Sequence, residues 1–214
     1  MDPEDKMIGA LGSIPTATVM VINLYYPDTH LSVEGFGYLI PRSVPFEQNP
    51  EFALGVVFDS DATTLDTDRD GKRTHIGTKL TVIMGGHYWS GLEEGEYPTK
   101  EEGLEMAMRV VGRHLGIEEE PEASSVTLQR DCIPQYTVGH ESRLSHIHEG
   151  LLETFNGRVT VAGAWTGGVG VNDCVQAGRK AAIIVSEGGG SGLEWVKRKK
   201  EWVWAEANGT VVQA

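Results

Sequence analysis

The stretch Arg158–Ala182, RVTVAGAWTGGVGVNDCVQAGRKAA, limits what this chain can fold into more than any other. Val159–Ala162 is a short apolar, partly β-branched run with strand character. Gly163–Gly170 then holds four glycines in eight residues. From Asn172 or Asp173 onward, the spacing of Val175, Gly178, Ala181, Ala182 and Val185 predicts a helix with a small, apolar face and Asn172 as its cap. A strand, a loop lacking β-carbons and a helix N-terminus bring bare N–H groups against an anion or the polar edge of a ring. The helix dipole favours negative charge at that point. The pattern alone equally suits a structural left-handed turn, and its glycines lack the GxGxxG spacing of a dinucleotide fingerprint.

Upstream, four apolar runs read as strands: Thr16–Tyr25, Gly35–Pro41, Phe52–Phe58 and Lys79–Met84. Their spacing predicts a mixed or antiparallel sheet. A helix follows over Lys100–Leu115, with Thr99 and Glu102 in capping-box spacing and Gly116 as the stop. Its Leu104, Ala107, Met108, Val111 and Leu115 recur on one face and would cover that sheet. A short strand is expected at Ser125–Leu128, then the irregular segment CIPQYTVGH, then a helix over Ser142–Leu152. Gly188–Gly192 has the composition of a flexible linker. The tail Leu193–Ala207 mixes three tryptophans with Lys197–Lys200 and reads as a basic amphipathic helix. Such a helix suits either an anionic membrane surface or its own domain.

Other patterns carry less. A formal net charge of −13 argues against a nucleic-acid surface. No run of 18 apolar residues exists, and the opening MDPEDK reads as neither secretory signal nor transit peptide. Cys132 and Cys174 give no disulfide framework. The acidic segment from Asp66 imitates half a calcium loop, then fails at Arg73 and Gly77. His140, His146 and His148 lack the partners of a zinc set, so no metal ligands are assigned. No side-chain constellation reads as a catalytic nucleophile or acid–base pair.

Several blocks, in order, resemble the protoporphyrinogen oxidase family of amine-oxidase-like flavoproteins. They are GFGYLIP, LGVVFDS, LTVIMGG, the helix ending RHLGI, CIPQYTVGH and GVGVNDCVQAGRKAA, spanning Ile14–Val185. The resemblance implies an α+β or α/β chain: a mixed-sheet substrate domain with a covering helix, plus the strand–glycine loop–helix part of an incomplete Rossmann-like FAD domain. Its expected boundaries are 1–129 for the substrate portion, 130–187 for the FAD portion, and 188–214 for linker and tail. The implied cofactor is FAD, contacted by Gly163, Ala164, Val169, Gly170, Val171 and Asn172. Phe36, Gly37 and Leu39 match positions beside the tetrapyrrole, and Ile83 a further apolar wall position.

The implied reaction is oxidation of protoporphyrinogen IX to protoporphyrin IX by oxygen, in heme biosynthesis. It is driven by the flavin, with no catalytic side chain. Membrane association, a possible homodimer, and a place on the intermembrane-space side of the mitochondrial inner membrane also follow from the resemblance alone. The chain departs from the family by lacking the phosphate-binding fingerprint, as the C-terminal portion of such an enzyme would. Three readings stay open: this oxidase, a fold retained without flavin, or another flavin oxidoreductase of the superfamily.

Overall fold

Alternation along two strands sets the first core. The computed structural model describes residues 2–28, 31, 35–62, 70, 77–197, 203–205 and 211–213. They fall into two compact units, Ala17–Cys132 and Met1–Thr16 with Ile133–Ala214. The expected 1–129 block is thus divided, because residues 1–16 belong with the C-terminal segment. The acidic loop lies mostly outside the described residues, and the calcium-like run 66–77 is described only at Asp70 and Gly77.

The elements in chain order are α1 (Pro3–Gly12), β1 (Thr16–Tyr26), β2 (Gly37–Leu39), β3 (Ala53–Phe58), a single helical turn α2 (Asp59–Ala62), β4 (Thr78–Gly85), α3 (Lys100–Leu115) and β5 (Ala123–Pro134). They continue with α4 (His140–Phe155), α5 (Ala164–Gly167), α6 (Val171–Ser186), β6 (Val203–Ala205) and β7 (Val211–Gln213).

The sheet order is β2-β3-β4-β1-β5, and β2–β3, β3–β4 and β4–β1 pair antiparallel. Even-numbered residues of β1 and β4 point to one face and pair across it: Met20 with Met84, Ile22 with Val82, Leu24 with Leu80. All six are at most 2% exposed. Each such side chain contributes about 1.5–3 kcal/mol by leaving water. α3 closes this face with Ala107, Val110 and Val111. The capping box of Thr99 and Glu102 is formed, and Gly116 turns left-handed at φ 72°. Gly103 lets the helix approach, since a β-carbon there would lie 2.2 Å from the Met20 sulfur.

β5 runs to Pro134, well past the expected Ser125–Leu128. It is an edge strand with mostly exposed side chains, so its ladder, and not an apolar run, makes it a strand.

In the other unit, α1 was not legible as an element from apolar spacing. Asp2 caps it, Pro3 sits in the first turn, and Glu4 and Asp5 complement the dipole. Its Met7 and Ala10 pack with Leu144, Ile147 and Leu151 of α4, and Leu193 and Val196 complete the cluster. α4 extends beyond the expected Ser142–Leu152 at both ends.

Three expectations are corrected in this unit. Val159–Ala162 is not a strand, because among the described residues no strand pairs with it. Gly188–Gly192 is not a loose linker: Ser191 is fully buried, and the segment is tied down at Gly157, Thr160 and Val161. The tail is not one helix. A single 3-10 turn covers Glu194–Lys197, and β6 and β7 form an antiparallel pair, while residues 198–202 lie outside the described residues.

One ion pair ties the chain before β3 to α3. Arg113 donates from both terminal nitrogens to Glu51 (2.8 and 2.6 Å), and Arg109 adds a third bond at 3.3 Å. Burial alone would raise the Glu51 carboxyl; the bonds and charge from Arg113, helped by Arg109, outweigh it and hold it below its ordinary value. Replacing Arg113 by Leu strands a buried carboxylate. The expected loss is about 2 kcal/mol at neutral pH, below the full penalty because Arg109 remains and Arg113 is partly exposed. The wild-type contribution is present above the ordinary carboxylate range and fades as pH falls through the depressed value. Denaturant melts of both proteins at neutral and acid pH should therefore converge on acidification.

Candidate functional site

Glycine geometry shapes the loop ahead of α6. α6 begins at Val171 with Gly170 as its cap, so Asn172 is inside the helix and the expected cap is corrected by two residues. The capping side chain is Asp173, whose carboxylate accepts from the Gly170 N–H at 3.2 Å. Cys174 N–H makes the first intrahelical bond, to the Gly170 carbonyl (3.0 Å). By helix geometry the N–H groups of Val171, Asn172 and Asp173 have no intrahelical acceptor. A β-carbon on Gly168 would lie 2.4 Å from the Asp173 carboxylate, so glycine is required there for the cap to form.

Val169, Gly170, Val171 and Asn172 are all exposed on this turn, Val171 at 81%. Gly163 and Ala164 lie apart from them, half-buried at the start of α5. The structure thus gathers four of the six expected cofactor positions on one exposed turn and sets the other two at the far end of a single helical turn.

That turn is held from outside. The Tyr136 hydroxyl donates to the Ala164 carbonyl at 2.6 Å. His140 Nε2 lies 2.9 Å from the Trp165 carbonyl. A carbonyl only accepts, so the ring proton sits on Nε2. The two rings stack, with centroids 4.2 Å apart and planes at 14°. Burial, reinforced by the nearby charge of Asp173, raises the Tyr136 phenol above its ordinary value and keeps it a donor. In the sequence, CIPQYTVGH carries only a resemblance, and these roles are not legible in it. Their partners lie 25 and 28 residues downstream, so spacing gave no signal.

Behind the loop, Thr166, Asp173, Gln176 and Lys180 help line a cavity of about 320 Å³.

The sequence profile of the flavin containing amine oxidoreductases matches residues 3–185. The chain belongs to that family. It is similar to the protoporphyrinogen oxidase of Schizosaccharomyces pombe, 35% identical over 169 residues, covering 78% of this chain and 32% of that protein. The Homo sapiens protoporphyrinogen oxidase is 38% identical over 177 residues, covering 82% of this chain and 35% of the relative. The chain therefore spans about a third of the length of these relatives. A crystal structure from Exiguobacterium sp. 255-15, provisionally named a protoporphyrinogen oxidase, shares the fold with a TM-score of 0.62 at 17% identity, over 92% of this chain and 39% of that one.

The expected substrate positions lie in the other unit. Tyr38 points toward α3, where its hydroxyl meets His114 Nδ1 at 2.7 Å and its ring meets Phe58 edge-on. Alternation then sends Gly37 and Leu39 to the opposite face. The register places Leu39, Gly55, Ile83 and Val21 in one row across four strands of that face. Gly37 needs its φ of 138°, and a β-carbon there would lie 2.2 Å from the Val56 carbonyl oxygen. Leu39 is 85% exposed and Ile83 half-buried, so the row is open. Phe36, just before β2, is also exposed, and its carbonyl accepts from Phe58 N–H.

Replacing Gly168 by Ala should expel the Asp173 carboxylate from its cap and cost about 1–2 kcal/mol. Hydrogen exchange should rise first at Cys174–Ala177. Where Asp173 is already Ala, the same substitution should cost clearly less, which separates loss of the cap from backbone strain.

Proposed function

We propose that this chain supplies one edge of a flavin site and an apolar substrate wall for an FAD-dependent oxidation of protoporphyrinogen to protoporphyrin. The observation that carries the reading is the exposed turn Val169–Asn172, where Gly170, without a side chain, caps the helix start. The residues fit an isoalloxazine edge: Gly170 presents backbone without a side chain, and the helix-start amides stand ready for a polar rim. They do not include a phosphate-binding fingerprint, so the fit is to the ring end of FAD only.

When bound, the flavin supplies the hydride-accepting ring system. The chain's own contribution is position and field. The amides of Val171 and Asn172 favour negative charge developing beside them. Val169 and Val171 offer apolar side chains that keep water from the contact. Phe36, Leu39 and Ile83 suit a large, flat, mostly apolar tetrapyrrole. No side-chain acid or base is assigned. Oxygen as the final acceptor, a homodimer, and attachment at the intermembrane-space side of the mitochondrial inner membrane belong to the same proposal. None of the described helices is long and apolar enough to cross a membrane.

A second reading is a fold kept without flavin. Fluorescence titration of FAD with the purified chain separates the two. Weak, saturable quenching is expected. Replacing Gly170 by Trp should abolish it while the far-ultraviolet circular dichroism stays unchanged. Quenching that survives in the variant would move the flavin contact elsewhere, and wild-type protein with no quenching would favour the second reading. Air oxidation of protoporphyrinogen, followed by porphyrin fluorescence, tests the reaction itself.

A further inference from the structure

α5 is one turn long, so its carbonyls have no later helical N–H to accept from. Three consecutive carbonyls nevertheless have partners. Gly163 O accepts from Thr166 N–H (3.1 Å) and from the Thr166 hydroxyl (2.8 Å). Ala164 O accepts from Tyr136, and Trp165 O from His140. The latter two donors are stacked rings from one five-residue stretch ahead of α4 and at its first turn. Fixing successive peptide planes at 164 and 165 fixes the direction in which the chain leaves toward Gly168.

This arrangement is more than core packing. Tyr136 is 45% exposed, so its ring is not a core side chain. His140 is 8% exposed, and its Nδ1 is buried without a partner among the described residues. A buried, unpaired acceptor is a cost, tolerated here for what the opposite nitrogen does.

We infer that Tyr136 and His140 are positioning residues for flavin binding. They clamp the Ala164 and Trp165 carbonyls and thereby set the Val169–Asn172 turn. The inference rests on the proposed flavin contact at that turn. Neither residue is placed against the flavin itself.

The test uses four variants of the whole chain. Tyr136→Phe and His140→Phe keep rings but remove the donors, and the double variant removes both. His140→Gln restores a nitrogen donor at the reach of Nε2. Two readouts are taken. The first is the amide NMR spectrum of Thr166–Asn172 without FAD. The second is FAD affinity by fluorescence quenching.

The double Phe variant should shift those amides, leave the Leu144–Leu151 amides in place, and weaken FAD binding by about tenfold, the scale of one or two lost hydrogen bonds. His140→Gln should stay near wild type in both. Unmoved loop amides in the double variant overturn the clamp, as does a Gln variant as impaired as the Phe one. Shifted amides together with a wild type that binds no FAD would leave the clamp standing and overturn its link to flavin binding, along with the functional proposal.

Discussion

A carbonyl withdrawn from water must accept a hydrogen bond, and on either side of α6, in the irregular chain up to Gly170 and over Gly188–Gly192, regular ladders supply few donors. Side chains fill that role. Thr160 donates to the Gly190 carbonyl (2.6 Å), and Val161 N–H reaches Ser191 O (2.8 Å). Ser191, fully buried, lies 2.6 Å from His148 Nδ1 and accepts from Leu193 N–H. Glu194 accepts from the N–H groups of Ser191 and Gly192. Burial alone would raise its carboxyl, but these backbone bonds outweigh that and lower it. α4 thus anchors two separate stretches, α5 through His140 and the glycine-rich segment through His148. Two histidines that suggested nothing as metal ligands act as the fixed points of an irregular region.

The same accounting explains which parts of the fold were legible. α3 was readable to the residue, because a capping box, a helical apolar face and a terminal glycine all report the same boundaries. β1 and β4 were readable because each is an apolar run that the sheet buries. β5 was not, since an exposed edge strand takes its identity from a neighbour's hydrogen bonds. α1 was missed although its Asp-Pro-Glu start was visible, because only Met7 and Ala10 are buried in it. Gly188–Gly192 misled for a physical reason. Glycine marks both slack chain and close approach, and composition cannot separate them. Here a β-carbon on Gly189 would lie 2.3 Å from the Gly157 carbonyl oxygen, and one on Gly192 would lie 2.2 Å from that of Val161, so the glycines serve contact.

The candidate site divides in the same way. The glycine turn was recognisable because backbone exposure needs missing side chains, which a sequence displays directly. What holds the turn was hidden, because a tyrosine and a histidine donating to distant carbonyls leave no periodic trace. The wall was half-legible. GFGYLIP resembles a family block, but the face each residue takes depends on Tyr38.

Tyr38 does more than fill space. Burial raises its phenol to about 12, so it stays protonated and donates. Burial, with Arg113 adjacent, lowers His114, which favours a bare Nδ1 as acceptor. The pair at 2.7 Å therefore matches a donor that keeps its proton with an acceptor that resists taking one. β2 is only three residues long and sits at the sheet edge, so its ladder alone would define its facing weakly. Rotating the strand by one residue would bury Leu39 and expose Tyr38, breaking this bond and the edge contact with Phe58. Glycines at 37 and 55 then admit the close backbone approach that the register demands. An exposed leucine beside two glycines is thus the consequence of a polar pair on the opposite face. It is also what leaves the row from Leu39 to Val21 open.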